Sequence, residues 1–423
     1  MKSAVCVDVG STYTKACLVD LDGARLVRRA EVPTTSGSDV LSGLDAAVAA
    51  VGGSGSGEMY VCSSAGGGLR LAVVGYEALV TAEAGHRVGL SAGAQVVHVA
   101  AGLLDGPGVA ALRGSRPDVI LLVGGTDGGD GEVLLHNAGR LATSRLRVPV
   151  VVAGNAEVRP AAEALLAERR VPVTGTGNVL PRIGVLDPGP ARAAIRGVFL
   201  RHVIGGKRLS RGGRFASLVR SATPDAVLAG VEVLADATGA GVLVVDVGGA
   251  TTDVYSALVP DAEAESGPRR DVAGTLWRSR TVEGDLGVGV GAPGVVAAAT
   301  AEKLPVPDIS GGLPYGADTD RRLAATAAMV ALRRHARGHS PGPGLPRTGG
   351  RDLREVRLVV GSGGVLRHGG GEAVLAAVLG DTAGGWAAPA GARRVVDVEY
   401  VLAAAGLLAE DHPRVAAGLL HAL

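Results

Sequence analysis

The sequence predicts a two-lobed α/β protein with an inserted parallel α/β segment, and three observations lead to that prediction. An apolar strand that ends on a carboxylate and glycines occurs twice, first at residues 4–7 and again at 242–245. From residue 59 to about 203, strand and helix patterns alternate, which implies parallel pairing with right-handed crossovers. The composition is 47% hydrophobic but only 2% aromatic, as is typical of parallel sheets covered by small-faced helices.

At 423 residues the chain is long enough for two or three domains. We expect a first-lobe meander carrying a phosphate hairpin in 1–57, an α/β segment inserted in or beside that lobe in 58–223, and a second lobe in 224–423. In the second lobe, Pro224 begins a helix that leads into the second apolar strand. Strands are predicted in the inserted segment at residues 59–62, 95–99, 119–123, 148–152 and 171–174.

Charge and cysteine content exclude several classes of protein. The chain has 42 basic and 41 acidic residues, so it lacks the electrostatic signature of a protein that binds nucleic acid or an anionic membrane. Three isolated cysteines disfavour a disulfide scaffold, a zinc site and an iron–sulfur site. No apolar stretch reaches the roughly 18 residues needed to span a bilayer. We therefore expect a soluble, cytoplasmic protein.

The repeated motif consists of a carboxylate, a glycine turn and a run of hydroxyl side chains. Superposing Asp8 on Asp246 also superposes Gly10 on Gly248 and Thr14 on Thr252. The residues after each turn favour strand, so both motifs are predicted to be hairpins. The candidate phosphate-binding residues are Gly10, Ser11, Thr12, Thr14 and Lys15 in the first copy, and Gly248, Gly249, Thr251 and Thr252 in the second.

These residue types suit a nucleotide with its metal ion. Glycines let main-chain N–H groups approach phosphate oxygens, hydroxyls add donors, and Asp8 and Asp246 can face Mg²⁺ largely through water. The alternative for each carboxylate is a strand-end cap, and the duplication at matched positions favours binding. Lys15 is a candidate for neutralising phosphate, although Asp253 occupies its place in the second copy.

Other loops have simpler explanations or fail as nucleotide motifs. Asp127 and Asp130 are candidates to orient a water or a metal, but each alone is better explained as a turn residue. The loop at 205–207 lacks the spacing and the hydroxyl of a P-loop. A dinucleotide motif requires a helix after its glycines, whereas strand formers follow Gly10 and Gly249. A third loop, with Gly361, Gly363 and Gly364, does run from strand to helix and could meet a nucleotide.

The three loops resemble those of the actin, sugar kinase and heat-shock chaperone ATPases, in the same order. Asp8–Thr14 is similar to their first phosphate motif, Asp246–Asp253 to their second, and Val360–Gly364 to their adenosine motif. The segments at 62–70, 121–130, 151–155 and 177–181 further resemble the glutamate mutase accessory family, called GlmL or MutL. This second resemblance extends from about Lys2 to beyond His368.

The resemblance implies an actin-like fold of two ribonuclease H-like repeats with ATP and Mg²⁺ in the cleft. It also implies catalytic roles for Asp8, Asp246 and Thr251, and a metal-facing role for the two carboxylates. The implied partners are subunits of an adenosylcobalamin-dependent carbon-skeleton mutase or aminomutase. The implied role is that of a chaperone-like ATPase that lets a damaged cofactor leave its mutase.

Two other functions fit the same fold. A small-molecule kinase would require a base aimed at a substrate hydroxyl and a second pocket, and no sugar-binding signature is recognisable. A non-enzymatic scaffold could use the nucleotide only as a switch. The sequence leaves open the residue that orients the attacking water, the oligomeric state and the identity of the mutase.

Overall fold

The computed structural model describes residues 2–35, 37–53, 57–65, 69–77, 80–92, 94–204, 209–211, 213–259, 277–338 and 350–423. Glycines 66–68 of the family motif and the loop at 205–207 lie outside the described residues. The described chain forms two compact units, one that runs to Ala226 and one that begins at Val227.

The first unit contains two sheets, each of five strands. The first sheet has the order β10-β4-β1-β2-β3. In it, β1 pairs antiparallel with β2 and parallel with β4, so the chain makes a meander before it crosses over. Its strands are β1 (Ser3–Val9), β2 (Tyr13–Asp20), β3 (Arg25–Pro33), β4 (Glu58–Ser63) and β10 (Val219–Ala222).

The second sheet of this unit, the parallel sheet, is wholly parallel with the order β6-β5-β7-β8-β9. Its strands are β5 (Arg70–Gly75), β6 (Gln95–Ala101), β7 (Val119–Leu122), β8 (Val150–Val152) and β9 (Val173–Gly175). Leu71 and Val73 share a buried core with Val7 and Val9 of the first sheet, so the two sheets of this unit pack into one hydrophobic interior.

Helices fill the connections of the first unit. Asp39 caps the first of them by accepting a hydrogen bond from the Leu41 N–H at 2.9 Å. The helices are α1 (Val40–Ala50), α2 (Thr81–Ser91), α3 (Gly106–Gly114), α4 (Glu132–Thr143), α5 (Arg159–Glu168), α6 (Gly189–Val198) and α7 (Arg214–Leu218). Helix α8 (Thr223–Thr238) then carries the chain from the first unit into the second.

The second unit contains one sheet with the order β13-β12-β11-β14-β15. Its strands are β11 (Gly241–Val247), β12 (Thr252–Ala257), β13 (Arg278–Glu283), β14 (Val356–Ser362) and β15 (Arg393–Val396). Its helices are α9 (Ala292–Ala301), α10 (Ala317–Arg337), α11 (Gly371–Leu379), α12 (Val401–Leu408) and α13 (Pro413–Leu419). Val245, Val247 and Val254 bury one face of the sheet against α10 and α11.

The first sheet and the sheet of the second unit have the same topology. In each, three antiparallel strands are followed by two parallel ones, which gives the order 3-2-1-4-5 when the strands are counted within the sheet. This repeat confirms the predicted α/β fold of the actin-like class, with a parallel α/β segment inserted in the first unit.

Several strands differ from the prediction. Strand β5 lies between β6 and β7 in the parallel sheet. It was not predicted because its short apolar run follows glycines and shows no alternation of apolar and polar residues. Strand β13 was not predicted because five of its six residues are charged or hydroxylated. Strands β4 and β10 lie in the predicted inserted segment 58–223 but pair in the first sheet. The division of the chain at 1–57, 58–223 and 224–423 stays a prediction.

Candidate functional site: two glycine turns with strand-end carboxylates

The first turn joins β1 to β2 and is closed by a main-chain hydrogen bond. The Gly10 N–H donates to the Tyr13 carbonyl at 3.0 Å, and a Cβ at Gly10 would lie 2.6 Å from that oxygen. Only glycine therefore fits here without a shift. Ser11 and Thr12 are exposed at the tip of the turn.

The second turn joins β11 to β12 and has the same geometry at the matched positions. The Gly248 N–H donates to the Thr251 carbonyl at 2.9 Å, and Gly249 is exposed with nothing within 4 Å of where its Cβ would be. The sequence superposition of Gly10 on Gly248 therefore corresponds to the same hydrogen bond in two different units. Such turns present main-chain donors that an anion can approach closely.

The matched threonines are turned inward. Thr14 and Thr252 are fully buried, and their hydroxyls are bonded within their own units. Thr14 Oγ1 lies 2.9 Å from Thr34 Oγ1, and Thr252 Oγ1 donates to the Leu286 carbonyl at 2.8 Å. Both hydroxyls therefore hold the hairpin to its neighbours, and phosphate binding by Thr14 and Thr252 stays a prediction.

Asp8, near the end of β1, is held by Cys62, near the end of β4, and by Thr223, which directly follows β10. Its Oδ1 accepts a hydrogen bond from Thr223 Oγ1 at 2.5 Å and one from Cys62 Sγ at 3.6 Å. Burial and then the nearby Asp8 carboxylate raise the pKa of the Cys62 thiol well above its ordinary value, which keeps the thiol protonated as a donor. Thr223 could not be predicted from the sequence, because no local pattern connects it with a residue 215 positions away.

Asp246 occupies the same place on β11. It lies opposite Asp253 in the antiparallel ladder, as Asp8 lies opposite Lys15. On the parallel side Asp246 is level with Ser362, as Asp8 is level with Cys62. Asp8 and Asp246 are both partly exposed, so each carboxylate is accessible at the end of a buried strand.

Asp253 is neutralised by an arginine. Arg280 on β13 donates to Asp253 Oδ1 from Nε at 3.0 Å and from Nη2 at 2.6 Å. Burial lowers the pKa of Arg280, but the adjacent Asp253 carboxylate more than offsets this, so the pKa of Arg280 is raised; burial also raises the pKa of Asp253, and Arg280 opposes that shift. Asp246 and Asp253 are both partly exposed, and the metal-facing role of Asp246 stays a prediction.

The third glycine loop packs directly on the second turn's strand. Gly363 has a φ of +103°, and a Cβ there would lie 2.1 Å from the Val247 carbonyl oxygen. Gly361 is buried under Leu366, whereas Gly364 is exposed with open space around it. The fold therefore brings the predicted adenosine motif and the second phosphate turn together in one unit.

Residues 287–291, for which the sequence predicted no role, pack against the second turn. The N–H groups of Val288 and Gly289 donate to the carbonyls of Gly248 and Gly249 at 3.0 and 2.8 Å. A Cβ at Gly287 would lie 2.5 Å from the Ala250 carbonyl carbon. The glycine spacing of residues 287–291 was a visible signal for this close backbone approach.

Asp127 and Asp130 hold the loop after β7. Asp127 Oδ1 accepts from Asn178 Nδ2 and from the Ala156 N–H, both at 2.9 Å, and Asp130 Oδ1 accepts from the Glu132 N–H at 2.8 Å. These contacts agree with the interpretation of both as turn residues.

The candidate metal ligands fit a hydrated magnesium ion better than a metal ion coordinated wholly by protein side chains. Among the described residues, no group of three or more His, Cys, Asp or Glu side chains could hold a metal ion. Mg²⁺ normally keeps several waters and takes only one or two carboxylates together with the phosphates of its nucleotide. Asp8 of the first unit and Asp246 of the second are each a carboxylate of the kind that such an ion takes, and that they face Mg²⁺ stays a prediction.

The comparisons with known proteins identify the family. The model of the family described as "MutL protein" matches residues 4–309 and 314–423. The chain belongs to the MutL protein family. "Protein MutL" of Clostridium tetanomorphum is 33% identical to it, over 98% of this chain and 97% of that protein.

Solved structures resemble this MutL family member only distantly. An ATP-dependent caprolactamase from Pseudomonas jessenii has a TM-score of 0.39 and 14% identity over 96% of this chain and 70% of that one. Component A of (R)-2-hydroxyglutaryl-CoA dehydratase from Acidaminococcus fermentans has a TM-score of 0.32 and 10% identity over 98% of this chain and 100% of that one. Such likeness assigns no activity. Within the described part of the chain, no helix is long and apolar enough to cross a membrane.

Proposed function

We propose that this MutL family member is a Mg-ATP-dependent, chaperone-like ATPase that serves an adenosylcobalamin-dependent mutase. The observation that carries the nucleotide part is the pair of matched turns. Gly10 and Gly248 make the same main-chain bond three residues ahead, each beside a partly exposed strand-end carboxylate. Packing alone does not explain why a glycine turn beside a strand-end carboxylate occurs in both units.

The residues have distinct roles in this proposal. The exposed turn positions Ser11, Thr12 and Gly249 bind phosphate oxygens, and the loop at Gly363 and Gly364 takes the adenosine. Asp8 and Asp246 hold the waters of Mg²⁺, which supplies charge stabilisation for phosphoryl transfer. Thr251, whose carbonyl closes the second turn, is proposed to act near the terminal phosphate.

The mutase part of the proposal rests on membership of the family. An accessory ATPase would use ATP turnover to change its affinity for a protein partner. Its ATP hydrolysis would therefore need no sugar or other small hydroxyl substrate. A kinase of the same fold would instead release ADP only when its substrate is present. The two functions therefore differ in a single measurement.

The first experiment measures ATP binding and turnover by the purified full-length chain. We expect one nucleotide per chain in the presence of Mg²⁺, and slow phosphate release without any added acceptor. Asp8→Asn and Asp246→Asn should each reduce turnover by about 10²-fold or more, while Asp236→Asn, an exposed acid on α8, should not. Absence of ATP binding at millimolar Mg²⁺ would rule out the proposal.

The second experiment tests the partner. A mutase loaded with an inactive cobalamin is incubated with this protein and ATP, and cobalamin that separates from the mutase on gel filtration is measured by absorbance. We expect release with ATP and none with Asp246→Asn. Equal release without nucleotide would show that turnover does not drive the exchange.

A further inference from the structure

The side-chain contact between Thr223 and Asp8 joins the nucleotide turn of the first unit to the first residue of α8. Thr223 follows directly after β10, the strand that pairs beside β4. Its hydroxyl donates to Asp8 Oδ1 at 2.5 Å, and Cys62 at the end of β4 donates weakly to the same oxygen. Three adjacent strand ends thus converge on one carboxylate oxygen.

We infer that Thr223 is a positioning residue that holds the Asp8 carboxylate in the orientation needed for the magnesium nucleotide. A carboxylate at a strand end can rotate about its last two side-chain bonds. A hydroxyl donor fixed at one oxygen selects one rotamer and so sets where the other oxygen points. Hydrogen bonds to charged acceptors are the short and strong ones, which suits this task. The inference rests on the proposed function, because it assigns Asp8 a metal-facing role.

The first turn of α8 has a second anchor that does not depend on Thr223. Asp225 is buried and accepts a hydrogen bond from Arg196 Nε of α6 at 2.5 Å. An acid in the first turn also stabilises a helix N-terminus. Removing the Thr223 hydroxyl should therefore leave the start of α8 in place, and a loss of function would report on the Asp8 contact.

A set of conservative variants tests this inference in the full-length chain. Thr223→Val keeps the shape and removes the donor, Thr223→Ser restores the donor, and Thr238→Val is the matched control at the other end of α8. Thr238 is exposed, and its hydroxyl donates to the Leu234 carbonyl at 2.8 Å. The measurements are kcat and KM for Mg-ATP, half-saturation by Mg²⁺, and the thermal midpoint as a check on folding.

We expect Thr223→Val to lower kcat at least tenfold, to raise the Mg²⁺ concentration for half-saturation, and to leave KM within about twofold. Thr223→Ser should recover most of the turnover, and Thr238→Val should match the wild type. Wild-type turnover in Thr223→Val, or an equal loss in Thr223→Ser, would overturn the inference while leaving the ATPase proposal intact. A wild-type chain that does not bind ATP would instead refute the proposed function.

Discussion

Gly363 lies against the carbonyl oxygen of Val247, at a distance that leaves no space for a side chain. A Cβ would be 2.1 Å from that oxygen, and the φ of +103° is itself unfavourable for any other residue. The contact fixes the third glycine loop to the strand that leads into the second phosphate turn. This relationship gives a direct test of the adenosine motif.

Gly363→Ala should destabilise the chain by about 2 kcal/mol or more, because it adds backbone strain and displaces β11. ATP affinity should fall as well. Gly311→Ala is the control, since Gly311 lies outside the proposed site and is exposed with nothing within 4 Å of its Cβ position. Urea unfolding and a nucleotide titration measure both effects. Equal behaviour of the two variants would contradict the packing argument.

Gly287→Ala should disturb the segment that wraps the second turn. The added methyl would meet the Ala250 backbone at 2.5 Å, and overpacking of this kind costs about 1 to 3 kcal/mol. Because the turn must shift to relieve the contact, we expect weaker ATP binding than wild type by isothermal titration. Gly311→Ala, in an exposed loop with open space, should bind normally. Unchanged affinity in Gly287→Ala would show that the segment does not shape the turn.

Arg333 and Asp381 form a buried two-point ion pair in the second unit. Arg333 donates from Nε to Oδ2 at 2.7 Å and from Nη2 to Oδ1 at 2.8 Å. These bonds hold the pKa of Asp381 at about 2 despite burial. Asp381→Asn removes a buried charge partner, so we expect a loss of about 3 to 5 kcal/mol in urea unfolding. Asp318→Asn breaks an exposed pair with Arg322 and should cost less than about 1 kcal/mol.

His335 makes the second unit sensitive to acid. It is buried between Thr281 and Ser256, at 2.7 and 2.9 Å. Burial, with Arg351 nearby, lowers its pKa from 6.5 to about 3. Between pH 3 and pH 6.5 the unfolded chain binds a proton at His335 that the folded chain does not. The stability that neutral His335 contributes is therefore complete above about pH 6.5 and is lost as the pH falls toward 3.

His335 alone can change the free energy of unfolding by at most about 1.4 kcal/mol per pH unit. We expect urea unfolding between pH 7 and pH 4 to show a smaller pH dependence in His335→Gln than in the wild type. His421→Gln, at an exposed position, should keep the wild-type slope. Identical slopes in all three proteins would refute the assignment.

The sequence by itself determined the repeat. Strand, carboxylate and glycine follow one another in a local order, so Asp8 and Asp246 and the two hairpins could be predicted from neighbouring residues alone. The exposed tip residues Ser11, Thr12 and Gly249 belong to the same local pattern. The strand–helix alternation likewise predicted the parallel segment, although not the short strand β5.

Only the tertiary structure decided which groups surround those turns. Thr223 reaches Asp8 from 215 positions away, and Arg280 reaches Asp253 from the next strand. Residues 287–291 cover the second turn by donating main-chain hydrogen bonds to its carbonyls, while Thr14 and Thr252 turn inward because their partners Thr34 and Leu286 come from other elements. Strand and turn propensities act over a few residues, whereas the partners of a side chain depend on crossover connections that bring distant segments to the same strand ends.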